Sequence, residues 1–222
     1  MSSTGVGRRG NWRGRAHAYK VCLWPPVNRG RYEEGLNIDR FFPAYHPLME
    51  RTLESTLLHL TRSRMVEDYP TQIGQCLAVI TDEDLWWRPD EKSNALGNIM
   101  LHVIGSNRLY IGYGVGARSI ERDRAAEFTA RGNPDRAAVI GSWNDTVAMM
   151  REVLDGLDAT RLLERTDRTG KSTTIASILL HASHHTAAHM GQVVWITKMR
   201  RPGALDELWI RTRDQLASAR KS

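Results

Sequence analysis

Between residues 66 and 80, Val66, Tyr69, Ile73, Cys76 or Leu77, and Ile80 fall at the intervals of a helix with one buried face. Ahead of them, Leu48, Leu53, Leu57 and Leu60 predict a short amphipathic lead-in segment, and Pro70 either interrupts the longer run or marks its first turn. A second apolar stripe follows at Leu96, Ile99, Val103 and Leu109, with Ser93 or Asn94 as the cap and the glycines of "GYGVGARS" as the stop after about Tyr113. The third helix is expected to begin at Asn133-Pro134, cap and first-turn proline in the favoured order. Its inner face is Val139 or Ile140, Trp143, Val147, Met150, Leu154 and Leu157. The fourth starts at Ser172 or Thr173 and runs through Ile175, Leu179, Ala182, Val193 and Ile196 to about Lys198.

Nothing between these runs alternates with period two over a useful length, so the chain reads as all-α. Four amphipathic helices suffice to close a four-helix bundle around one core. The connection between the second and third helices, about residues 114–132, is long enough to serve as a crossover that lets neighbouring helices run parallel. The expected organisation is a leader over 1–46, the bundle over 47–199, and a tail over 200–222 that can add a short outer helix.

Composition refines this picture at one point. The 222 residues carry a net charge of +6, but residues 1–46 hold eight Lys/Arg against three Asp/Glu, so the basic excess belongs to the leader. Rich in Gly and Arg and broken at Pro25-Pro26, the leader reads as a disordered extension rather than a nucleic-acid arm or a transit peptide. Nucleic acid is accordingly disfavoured as a partner. No apolar run approaches the ~18–20 residues of a membrane span. A cytoplasmic location is the expectation. Cys22 and Cys76 stand far apart, without companions at metal-ligand spacing.

The candidate chemistry lies in "HASHHTAAHMGQ" (181–192), which holds four of the eight histidines. On a helix His181, His185 and His189 form a column with His184 beside it. Ala182, Val193 and Ile196 adjoin the column, which is expected to face the core. Imidazoles turned to an apolar interior need partners for their ring nitrogens, and a divalent metal accepts two at i, i+4 spacing. A hydrogen-bonded core pair or a solvated patch is the competing reading of such a pair. His102, near the apolar face of the second helix, is the nearest candidate for a third ligand.

Residues 62–199 resemble the DinB/YfiT-like metalloprotein superfamily, and within it a DinB-related branch of unknown function. The resemblance rests on "LWWRPDEKSNALGNIMLHVIGSN" (85–107), "RDRAAEF" (122–128) and "HASHHTAAHMGQVVWI" (181–196). It implies a four-helix bundle with His102, His185 and His189 as ligands of a divalent metal such as zinc, nickel or iron; three imidazoles would also suit copper. His181 and His184 are then packing or supporting residues. Met190 departs from the pattern, standing where many relatives carry an arginine.

The resemblance further implies a metal-dependent enzyme of the thiol-transferase kind, in which the metal activates a low-molecular-weight thiol or water for a small-molecule substrate. A metal-dependent hydrolase is the alternative, and a catalytically silent metal-binding module the third reading. Homodimers are common among such proteins. Gln192, one turn past His189, can hydrogen-bond a ligand or simply pack. Arg122, Arg124 and Glu127 are read as pinning the crossover to the bundle, and Trp86 and Trp87 as hydrophobic anchors of the second helix's entry.

Overall fold

The computed structural model describes residues 52–205; the leader, Leu48 and most of the expected tail lie outside this range. The lead-in segment and the first expected helix are one continuous rod. Helix α1 (Leu53–Ser63) passes through a single wider π-helical stretch at Arg64–Asp68 into α2 (Tyr69–Val79). Pro70 is tolerated at the start of α2. It offers no N–H to the Val66 carbonyl four residues back, and Arg151 Nη2 donates to that oxygen at 2.9 Å. The inward stripe of α1 differs from the expected one. Leu53 and Leu60 are exposed, whereas Leu57 and Leu58 pack against the core and Thr61 is buried.

"TDEDLWWRPDEKSN", which reads as a turn, contains the short helix α3 (Asp82–Trp86). Thr81 caps it reciprocally: its hydroxyl accepts from the Asp84 amide, and the Asp84 carboxylate accepts from the Thr81 amide. Helix α4 (Leu96–Asn107) continues as a π-helical segment at Arg108–Val115. Neither Ser93 nor Asn94 caps α4. Ser93 is bound into a turn by Asp90, and the buried Asn98 reaches back to accept from the Ala95 amide at 3.1 Å. Two further hydrogen bonds run from Asn98 Nδ2 to the carbonyls of Glu127 (2.9 Å) and Ala130 (3.1 Å), fixing α5 (Arg124–Thr129) against α4.

Helix α6 (Arg136–Asp155) starts two residues later than expected, because Asp135 supplies the cap by accepting from the Ala138 amide. A 3₁₀ turn at Ala159–Leu163 leads into a two-residue antiparallel ladder, β1 (Arg165–Thr166) with β2 (Thr173–Thr174). Helix α7 (Ile175–Arg200) therefore begins after Thr174, whose hydroxyl accepts from the Ser177 amide. Apart from that ladder, the regular structure of the described residues is helical.

Helices α2, α4, α6 and α7 surround one hydrophobic core, with α4 in contact with both α6 and α7. Trp143, Met65, Leu77, Met100, Met150 and Leu179 are among its fully covered side chains. Cys76 belongs to this core as a free thiol, and burial pushes its pKa up. No helix among the described residues is long and apolar enough to cross a membrane.

Candidate metal centre

Helices α4 and α7 bring His102, His185 and His189 together, with one ring nitrogen from each lying within 4.8 Å of the others. His102 is 8% exposed; His185 and His189 are half-buried. His102 Nε2 and His185 Nε2 are 3.0 Å apart, and the rings of His185 and His189 meet edge to face at 4.5 Å between centroids. Ligand nitrogens about 2.0–2.1 Å from a tetrahedral ion are themselves roughly 3.3 Å apart, so the His102–His185 spacing suits a shared cation.

The rest of the histidine column turns outward. His181 and His184 are exposed, and the His181 ring meets that of Tyr110 at a 55° tilt, 4.4 Å between centroids. The stripe of α7 that enters the core is Ile178, Leu179, Ala182, Thr186 and Val193, so the column flanks the core instead of facing it.

Glu127, on α5, fixes the orientation of His102. Its Oε2 lies 2.9 Å from His102 Nδ1; the carboxylate can only accept, so the ring hydrogen sits on Nδ1 and Nε2 keeps its lone pair. Arg122 holds the carboxylate from behind with two bonds, Nε to Oε1 at 2.6 Å and Nη2 to Oε2 at 2.9 Å. Arg122 Nη2 also lies 3.3 Å from His102 Nδ1, but both atoms carry hydrogen and no bond forms there. Glu127 thus joins the connection between α4 and α6 to a site histidine on α4, while Arg122 pairs with Glu127 inside that connection. Arg124 instead lies over the Phe128 ring at 5.2 Å.

Two of the three imidazoles, His102 and His185, are held toward the neutral form. Burial pushes His102 below the ordinary histidine value, against the opposing pull of Glu127. Burial, followed by the neighbouring His189, His102, His181 and Arg122, pushes His185 down to about 4. For Glu127 burial alone would raise the pKa, and the bonds from Arg122 and His102 reverse that, leaving it below the usual carboxylate value. With Nδ1 of His102 engaged, His185 Nε2 is the donor between the two rings, and His185 Nδ1 is then buried without a partner among the described residues. His189 Nδ1 donates to Gln192 Oε1 at 2.7 Å, so Nε2 is the ring nitrogen left for a ligand. Three imidazoles so placed fit a borderline divalent cation, His102 offering its fixed Nε2 lone pair and His185 joining once its ring hydrogen moves from Nε2 to Nδ1.

Beside His102 and His189 opens a cleft of about 370 Å³, also lined by Trp87, Phe128, Gln192 and Trp195. Trp86 does not line it; it packs on Gly97 and donates from Nε1 to the Pro134 carbonyl at 3.0 Å. The contact of Glu127 with His102 was invisible to spacing arguments, whereas the bond between Gln192 and His189 joins two residues one turn apart on α7.

Residues 70–193 match the family model described as the DinB superfamily. A crystal structure of a DinB-like protein from Bacillus cereus ATCC 10987 superposes with a TM-score of 0.50 at 15% identity, covering 60% of this chain and 85% of that one. A conserved protein from Enterococcus faecalis gives a TM-score of 0.53 at 14% identity, over 63% and 94%. No curated protein matches the chain. The family match spans more than half of the sequence and includes all three clustered histidines, and the chain belongs to the DinB superfamily.

Proposed function

We propose that His102, His185 and His189 hold one divalent ion, zinc, nickel or iron, within a four-helix bundle of α2, α4, α6 and α7 whose long crossover carries α5. On this reading the protein is a metal-dependent enzyme of the thiol-transferase kind, acting on a small molecule with a low-molecular-weight thiol. The domain limits are a basic leader over 1–46, the bundle over 47–199 and a tail over 200–222; a cytoplasmic homodimer is the accompanying expectation.

One observation carries the proposal. The two Nε2 atoms that approach to 3.0 Å belong to residues 83 apart in the chain, on different helices, and one of the rings is locked by a buried carboxylate. A metal-binding histidine characteristically donates its other ring N–H to such a carboxylate. Bound there, a cation would act as a Lewis acid, lowering the pKa of a thiol or water in the cleft. Glu127 holds the His102 lone pair in place, Arg122 neutralises Glu127, and Gln192 orients His189.

Elemental analysis of the purified protein beside His185→Ala and His189→Ala tests the centre. Near-stoichiometric metal in the wild type, lost in both variants, is expected; no metal in the wild type after reconstitution would reject it. Thiol-dependent turnover with an electrophile would support the transferase, thiol-independent hydrolysis would make the protein a hydrolase, and metal that raises Tm without turnover would make it a binding module.

A further inference from the structure

The cleft beside the histidines has a chemical character of its own. Trp195 lies six residues beyond His189 on α7, about 9 Å along the helix, and lines the same cleft. It is 63% exposed, and among the described residues its ring pairs with no other aromatic side chain. The other aromatic walls are braced. Phe128 packs on the His102 ring at 4.8 Å between centroids, and Arg200 covers Trp87 at 5.1 Å. A large apolar side chain left open on a wall whose other aromatics are held in place marks a contact surface for a ligand ring.

Charge around the cleft is one-sided. Among the described residues no Asp or Glu lines it, whereas Lys92 does. Lys92 forms no salt bridge among the described residues. Asp90 and Glu91, next to Lys92 in sequence, do not line the cleft; Asp90 accepts from the Lys92 backbone amide and the Ser93 hydroxyl, and Glu127 lies behind His102 under Arg122. A volume of about 370 Å³ is at the small end for ligand sites.

We propose that this cleft binds a small aromatic anion, its ring against Trp195, Phe128 and Trp87, with its carboxylate or thiolate drawn by Lys92 and by the centre at His102 and His189. The inference rests on the proposed metal centre only for that inner attraction; the aromatic walls and Lys92 act without it.

Calorimetric titration of the full chain, both zinc-loaded and chelator-treated, with phenylacetate and the neutral phenylacetamide tests it. Phenylacetate should bind both forms, more tightly with zinc, and the amide should bind more weakly. Trp195→Ala should weaken phenylacetate about tenfold, and Lys92→Ala roughly twofold to fivefold, with the metal content of both variants unchanged. Failure of zinc to load would reject the metal centre, yet phenylacetate binding that still depends on Trp195 would support the cleft. Absence of phenylacetate binding in both forms, equal binding of the amide, or an affinity unchanged by Trp195→Ala would overturn the inference.

Discussion

Glu127 Oε2 and His102 Nδ1 meet at 2.9 Å with both side chains almost wholly covered, 25 residues apart in sequence and on different helices. The carboxylate fixes the imidazole tautomer and increases the basicity of its other nitrogen. Glu127→Gln can still accept the bond but carries no charge, and it leaves the half-buried Arg122 without its anion. Metal affinity, read by competition with a chromogenic chelator, should fall by about tenfold to a hundredfold. Affinity equal to the wild type would show that the carboxylate has no part in the centre.

Gly105, one turn beyond His102, provides the room for that pair. A Cβ at this position would lie 2.2 Å from Glu127 Oε1 and 3.0 Å from Arg122 Nε. Replacing glycine by alanine inside a helix ordinarily stabilises by about 0.5–1 kcal/mol. Gly141 on α6 has open space around its Cβ direction, so Gly141→Ala should raise Tm. Gly105→Ala should instead lower Tm and weaken metal binding together, since the ion pair must shift away from His102. A rise in Tm for both variants would mean that the Arg122–Glu127 pair moves freely.

The three histidines were legible in the sequence because helical periodicity places residues four apart on one face, and because His102 falls on a stripe with Leu96, Ile99 and Val103. Glu127 was legible only as a pinning residue. The connection between α4 and α6 has no period from which its approach could be projected, and its docking depends on Asn98, whose bonds to the Glu127 and Ala130 carbonyls follow no local rule. Helix limits moved for a similar reason: the caps at Ala95, Asp135 and Thr174 were decided by which side chain could reach a free amide. Leu53 and Leu60 satisfied a stripe by spacing alone, while the π-helical stretch at Arg64–Asp68 shows that one regular 3.6-residue period does not run through the whole rod.

Asp84 ties α3 to the end of α7 and should govern acid stability. Only 2% exposed, it accepts from Arg200 Nε at 2.9 Å, Arg201 Nε at 2.6 Å and the Thr81 amide and hydroxyl at 3.0 Å each. Burial alone would raise its pKa; the hydrogen bonds overcome this and hold it at about 2. The unfolded value is about 3.9, so folding favours the ionised form, with a contribution of about 2 kcal/mol present above pH ~4 and lost as pH falls toward 2. In urea titrations, Asp84→Asn should be less stable than the wild type at pH 7, with the gap closing below pH ~4. A gap that does not change with pH would assign the loss to packing rather than to charge.

Thr186 and Asn107 clamp α7 to α4 next to the histidines. Asn107 Nδ2 donates to Thr186 Oγ1 at 3.1 Å, the hydroxyl donates back to Asn107 Oδ1 at 3.2 Å, and both residues are buried. Thr186→Val preserves shape but strands the amide, at a cost of about 1–3 kcal/mol. Asn107→Leu strands the hydroxyl in the same way. Once both polar partners are gone nothing is left unsatisfied, so the double variant should be more stable than the sum of the single losses predicts, by about 1–2 kcal/mol. Because Thr186 adjoins His185, the single variants should also loosen the approach of His185 to His102 and weaken metal binding, and the double variant should recover part of it. Additive losses in stability would show that the two side chains act independently and that apolar packing alone aligns the helices that carry the centre.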